Sequence, residues 1–342
     1  MPIRRSRPLI HVCCYLISAI TRRISLIVTT IDQNSIMALE KQQPAVNELE
    51  DQPSSSLPVF QGNARFFLGG RLQTSVGPPT NLLAVVAIVV PVGLYFGFCA
   101  PRIWHRLSPA IPILVAYLLV LSLSSLFKLT SDPGVLPRGI HAEDEHPASE
   151  QETVVYIPYR TNDPLAPTID LAVKYCTVCN IWRPARASHC RTCDCCIDRL
   201  DHHCKWLNVC VGARNYRYFF TFIASSSILA LLTSISSFLA VFLWKRDHQA
   251  STLDALRSAP VCFALALYCA VGLLYPAALL VFHMSLLCRG MNTREQIIET
   301  RLPKEQRHRV RNSNISVRSF LDICFAPKPL SYVRPPKRKQ VY

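Results

Sequence analysis

The sequence predicts an α-helical integral membrane protein: four transmembrane helices, with a cytosolic cysteine-rich domain between helices 2 and 3. Three observations carry this. Half of the 342 residues are hydrophobic and only 17 % are charged, a low charged share for a soluble domain. The apolar residues gather in four long blocks, while residues 129–217 are polar and charged. Eight of the fifteen cysteines fall between Cys176 and Cys210.

A helix needs ~20 apolar residues to cross the hydrocarbon core. Residues 81–101 meet this, running from Asn81 through Val85, Val86, Ile88 and Val89 to Phe98. Residues 109–127 follow, uncharged from Ile111 to Leu126; residues 218–244 and 259–288 form the third and fourth spans. Pro91 and Pro276 fall inside spans, where neighbouring helices satisfy the freed carbonyls. Four charge-free runs of this length exclude an ordinary soluble core.

The net charge is +15, from 37 Lys+Arg and 22 Asp+Glu. From Arg289 onward, 13 Lys/Arg stand against 4 Asp/Glu, a net of +9. Beside membrane spans, such a basic cytosolic tail (289–342) points to an anionic leaflet or to a solvated topological marker, not to nucleic acid. Lys205, Arg214 and Arg217 precede the third span. The positive-inside rule then places both termini and the 129–217 domain in the cytosol, and the 102–108 and 245–258 loops in the lumen. Residues 1–58 read as a largely disordered cytosolic segment. Within them, Leu9 to Ile20 is too short to span and is bracketed by arginines; it is either interfacial or an extension ahead of a start at Met37.

The cysteine-rich segment reads Cys176-x2-Cys179, nine residues, His189-Cys190-x2-Cys193-x2-Cys196, then Asp201-His202-His203-Cys204, five residues, and Cys210. Cysteines mixed with histidines at two-residue spacings are metal ligands rather than disulfides, and a cytosolic location agrees. With Cys195, eleven sulfur or imidazole side chains are present. Two tetrahedral zinc sites need eight. Histidines in the pattern favour zinc over an iron–sulfur cluster. Residues 174–217 hold few large apolar side chains, so two structural zinc ions would stand in for a core. Spacing does not say which ligands share a metal.

Three donors remain over. Asp201, His202 or His203, and Cys204 supply what a nucleophilic thiol needs: a base to take its proton and a carboxylate to orient that base. If His203 ligates metal, His202 is free for this role. The alternative is that all of these residues are ligands.

The stretch Tyr175–Phe220 resembles the cysteine-rich domain of DHHC protein S-acyltransferases. Asp132-Pro133-Gly134 is similar to that family's Asp-Pro-Gly motif, and Thr293 and Glu295 to its Thr-Thr-x-Glu motif. Phe66-Phe67-Leu68-Gly69-Gly70-Arg71 and Ile181-Trp182-Arg183-Pro184 look most like the fungal Ras palmitoyltransferase branch. The resemblance implies one zinc on Cys176, Cys179, His189 and Cys196, and a second on Cys190, Cys193, His203 and Cys210. It implies Cys204 as the acyl-accepting nucleophile, His202 as its base and Asp201 as the orienting carboxylate. Asn215 matches a family asparagine, Thr293 is implied to pack near the active site, and Cys195 has no family role. Lys205, Val209 and Asn292 replace the usual proline, asparagine and threonine, and no Asn-Pro-Phe motif stands between Arg311 and Phe325.

The implied activity is transfer of a palmitoyl group from acyl-CoA to cysteine thiols of membrane-associated, Ras-like proteins. An accessory subunit, an endoplasmic reticulum membrane and, second, a Golgi membrane are the implied setting. Arg183, Arg186 and Lys205 are candidate contacts for the CoA phosphates, or plain surface charge. Two other classes compete. A zinc-stabilised adaptor would leave Cys204 unreactive. A membrane ubiquitin ligase would need another Cys-x2-Cys pair, and none follows Cys210.

Overall fold

The computed structural model describes residues 62–68, 72–77, 80–139, 154–159, 169–301, 328–329 and 331–333. The expectations for residues 1–58 and for most of the basic tail lie outside them. Seven helices are described: α1 (Thr80–Phe98), α2 (Ala100–Arg106), α3 (Ala110–Leu129), α4 (Tyr216–Asp247), α5 (Thr252–Ser258), α6 (Pro260–Cys288) and α7 (Thr293–Arg301). Of these, α1, α3, α4 and α6 are long and apolar enough to cross a membrane.

Their outward sides carry exposed Leu82, Leu83, Val120, Ile235, Val271 and Leu274. Helices apolar all round belong in hydrocarbon, not at a water-facing surface. Helix α4 packs along both α3 and α6. Its buried face is small and polar, with Ser225, Ser227, Thr233, Ser236, Ser237 and Ala240. Small side chains let membrane helices approach closely, and hydroxyls bond across the seam. Ser122 Oγ meets Ser225 Oγ at 3.0 Å, and Ser234 Oγ donates to the Ala266 carbonyl at 2.8 Å. At the far end of the spans, α2 and α5 cover the loops, and Arg106 pairs with Asp247 at 3.2 Å.

The cysteine-rich domain is built of short antiparallel ladders. Strands β3 (Val154–Tyr159), β4 (Ile169–Cys176) and β5 (Ile181–Trp182) form one sheet; β6 (Ser188–Cys190) pairs with β7 (Cys195–Ile197), and β8 (His202–Cys204) with β9 (Val209–Val211). A further hairpin, β1 (Ala64–Phe67) with β2 (Leu72–Ser75), precedes α1. It clasps the domain: Asn63 N donates to the Cys193 carbonyl at 2.9 Å, Ser75 N to Asn208 at 2.9 Å, and Gln73 N to Thr130, at the end of α3, at 2.6 Å. The domain interior holds Val135, Ile197 and Leu200 among cysteine sulfurs. That is too little apolar volume for a self-sufficient core, as the composition implies.

The Asp-Pro-Gly segment links α3 to this domain. Asp132 Oδ1 accepts from Gly134 N (2.8 Å) and Val135 N (3.1 Å). Gly134 sits at φ +108, a conformation L side chains rarely adopt. Asp132 Oδ2 takes Arg214 Nε at 2.9 Å and Ser331 Oγ at 2.6 Å, and Arg214 also bonds the Pro329 carbonyl. The tail therefore docks on Asp132 and Arg214 without an Asn-Pro-Phe motif.

Asn215 joins domain and spans. Its amide donates to the Leu129 and Cys210 carbonyls, each at 2.9 Å, and its Oδ1 accepts from Gly212 N at 2.9 Å. It is fully buried with both amide ends satisfied, which a hydrophobic isostere could not reproduce.

Candidate active site and metal centres

Strand alternation sorts the ligands. Successive side chains on a strand point to opposite faces. In the β6–β7 ladder His189 faces Cys196, and Cys190 lies one register over. His189 and Cys196 join Cys176 and Cys179; Cys190 turns the other way and joins Cys193, His203 and Cys210. Within each group the four donor atoms lie within 4.8 Å of one another, so each group could hold a metal ion.

The distances fit one ion per group. His189 Nδ1 stands 3.6, 3.3 and 3.9 Å from the sulfurs of Cys176, Cys179 and Cys196. His203 Nδ1 stands 3.8, 3.4 and 3.5 Å from those of Cys190, Cys193 and Cys210. Tetrahedral zinc at ordinary bond lengths sets sulfur and nitrogen ligands about 3.6 Å apart. Asn180 and Asp194 follow the second cysteine of each Cys-x2-Cys turn at φ 51 and 47. Asn and Asp tolerate this left-handed conformation better than most residues.

The same alternation divides the Asp-His-His-Cys run. On β8, His203 faces Cys210 and the metal group, while His202 and Cys204, two residues apart, share the opposite face. His202 Nδ1 lies 2.6 Å from Asp201 Oδ2 and donates to the ionised carboxylate. The Cys204 thiol shares that face with His202, near enough for the imidazole to lower its pKa.

Asp201 is buried and sits at the N-terminus of α7. Thr293 N donates to Oδ1 and Thr293 Oγ1 to Oδ2, both at 2.8 Å. Backbone N–H groups at a helix start are suited to an anion. That helix is secured in turn. Asn292 Oδ1 accepts from Glu295 N (2.8 Å) and Glu295 Oε2 accepts from Asn292 N (2.9 Å), a reciprocal capping box. Asparagine at 292 thus performs the capping that a threonine would. Arg186 makes a two-pronged pair with Glu295, at 2.6 and 2.7 Å.

Arg186 is thus engaged by Glu295, and Arg183 donates to the carbonyls of Lys174 and Tyr175. Lys205 is exposed, with its carbonyl accepting Thr80 Oγ1 at 2.8 Å. Cys195 is buried opposite Cys190 and belongs to neither metal group.

The electrostatics follow from these contacts. Burial alone would raise the Asp201 carboxyl, but the His202 hydrogen bond, neighbouring imidazole charge and Thr293 N–H hold it at about 2. Burial disfavours charged His202, yet its bonds to Asp201 and Cys204 push it up to about 10. Burial raises the Cys204 thiol; the bond to His202, its charge, and the N–H groups of Leu207 and Trp206 outweigh that and lower it. The contacts favour the Cys204 thiolate beside a charged His202 imidazole, the arrangement of an activated thiol nucleophile.

Cys204 also touches the apolar cluster of Leu126, Leu129, Val209, Phe219 and Ile223, which joins the domain to α3 and α4. Trp206 and Tyr275 stand near it with ring centroids 6.1 Å apart. The comparisons accord with this geometry. A family model described as DHHC palmitoyltransferase matches residues 171–300. A fission yeast protein, Palmitoyltransferase erf2 of Schizosaccharomyces pombe, is 36 % identical over 82 % of this chain and 81 % of its own length.

The chain belongs to the DHHC palmitoyltransferase family.

Palmitoyltransferase erf2 of Emericella nidulans is 40 % identical over 80 % of this chain but 47 % of its own length. Protein S-acyltransferase 8 of Arabidopsis thaliana is 35 % identical over 70 % of this chain and 62 % of its own length. The chain spans about half the length of the Emericella nidulans relative. Within this DHHC protein, sequence reading missed His283 and Phe219, which pack against His202, and Tyr216, which bonds His283. A lone imidazole in an otherwise apolar span is the signal that points to His283.

Proposed function

We propose that this DHHC protein transfers a palmitoyl group from acyl-CoA to cysteine thiols of membrane-associated proteins, through an acyl-enzyme on Cys204. The observation that carries the reading is the hydrogen-bonded chain Thr293–Asp201–His202, with Cys204 beside His202 on one face of β8 at the apolar seam between domain and spans.

In the first step the Cys204 thiolate attacks the thioester carbonyl. A carbon–sulfur bond forms, the bond to CoA breaks, and His202 gives its proton to the departing CoA sulfur. In the second step neutral His202 takes the proton of a substrate cysteine, whose thiolate attacks the acyl-enzyme. Cys204 leaves as thiolate and the resting pair is restored. Asp201 holds His202 with Nδ1 protonated and stabilises its charged form. Thioester exchange is nearly balanced in energy, so positioning and thiolate supply set the rate. The acyl tail lies among the spans, where each methylene contributes about 0.8 kcal/mol. The two Cys/His groups hold zinc, which neutralises thiolate charge and ties the hairpins together. His203 belongs to that scaffold.

The likeness of Phe66–Arg71 and Ile181–Pro184 to the fungal branch supports Ras-like substrates, an accessory subunit and an endoplasmic reticulum membrane. The charge bias supports a cytosolic domain and termini. The test is incubation of purified protein with palmitoyl-CoA and intact-mass analysis. Wild type should gain one acyl group that hydroxylamine removes. Cys204→Ser should gain none while keeping two metal ions; acylation that persists there would overturn the assignment.

A further inference from the structure

Among the described residues of the four spans, His283 is the one Asp, Glu, Lys, Arg or His more than three residues from a helix end. Ionisable side chains in spans are expensive and serve function by default. His283 is buried on α6. One of its nitrogens lies within 4.8 Å of both an Asp201 carboxylate oxygen and a His202 ring nitrogen. Its Nδ1 is 3.0 Å from the hydroxyl of Tyr216, the first residue of α4.

Three rings close on one another here. Phe219 lies 5.2 Å from His202 and 4.8 Å from His283, both edge-on, and His283 lies 6.0 Å from His202. Tyr216 and Phe219 stand three residues apart and so share a face of α4. The bond to Asp201 fixes the direction of His202 Nδ1, but one hydrogen bond leaves the ring plane free to tilt. What sets the plane is the wall it packs against, made by Phe219 and by a His283 that Tyr216 holds in place.

We propose that His283 is a positioning residue for this site: tied by Tyr216 to the start of α4, it sets the His202 ring so that the second nitrogen stays on the Cys204 sulfur. This rests on the acyl-transfer reading for its consequence, though not for its geometry. Leucine at 283 would fill the space but lose the bond to Tyr216. Glutamine would keep a polar partner for it.

The test uses the purified full chain with His283→Leu, His283→Gln and Tyr216→Phe, and His202→Ala as reference. The first readout is the rate at which Cys204 is alkylated by iodoacetamide, followed on its peptide by mass spectrometry. The second is the split of kcat and KM for palmitoyl-CoA, and the third is metal content. His283→Leu should lose roughly tenfold or more in both alkylation rate and kcat, the size of effect a small misplacement produces. KM and the two metal ions should be retained. His283→Gln should recover most of the rate, and Tyr216→Phe should fall between.

Wild-type alkylation in His283→Leu overturns the proposal. So does an equal loss in His283→Gln, which marks a packing defect, or a loss that tracks released metal. If His283→Leu fails to fold, Tyr216→Phe decides: a wild-type rate there overturns the proposal. If alkylation depends on His202 and His283 but wild type takes no acyl group, the acyl-transfer reading fails while the positioning role stands.

Discussion

Thr293 grips both oxygens of Asp201, its N–H on one and its hydroxyl on the other, each at 2.8 Å. The two residues are 92 positions apart, one opening α7 and the other preceding β8. This joint couples the segment after the last span to the carboxylate that orients His202. Thr293→Val removes only the hydroxyl bond to a buried carboxylate and should slow self-acylation roughly tenfold, the scale of one lost charged hydrogen bond. Thr293→Ser should stay near wild type. Both should keep their metal ions, as measured on the purified proteins.

The two histidines should separate cleanly. His203→Ala removes one donor of a group that could hold a metal ion and should release one metal ion and loosen β8–β9, read as metal stoichiometry and protease sensitivity. His202→Ala should keep both ions and fold but lose roughly a hundredfold or more in acyl loading, the range for a general base. Equal metal loss in both would contradict the division of roles.

The pH dependence has a defined sign. The Cys204 pKa is lowered, so its thiolate is present above that value and is lost as pH falls through it. A free cysteine loses reactivity below pH about 8.5. Cys204 alkylation should hold its rate below that point. His202→Ala removes the lowering contact, and its profile should move back toward the free-thiol value.

Chelation should dissect the molecule. With so few apolar side chains among its sulfurs, the cysteine-rich domain should depend on metal, whereas the spans carry their own helical hydrogen bonds. Stripping metal at neutral pH should raise the number of alkylatable cysteines while the far-ultraviolet helical signal largely persists. Collapse of both together would show that the spans need the domain.

The capping box at α7 offers a stability test. Asn292→Ala removes the side chain that caps Glu295 N and should cost about 1 kcal/mol, seen as a lower thermal midpoint and weaker acylation. Asn292→Thr should cost a few tenths at most, since threonine caps nearly as well.

What is local can be read from the order of residues alone. Four apolar runs specify four spans, because the bilayer demands about twenty such residues in a row. The Cys-x2-Cys turns and the Asp201–Cys204 run mark the candidate ligands and relay partners, because these stand within a few positions of each other. The rest depends on how distant segments pack. Spacing left the sharing of ligands open; pairing of β6 with β7 and β8 with β9 divides them, because alternate side chains of a paired strand must face opposite sides. Tertiary packing also assigned Arg186 to Glu295, 109 positions away. And it carried His283 from the fourth span to within 6.0 Å of the His202 ring. No periodicity encodes that approach, because it depends on how α4 and α6 pack and where α7 caps the domain.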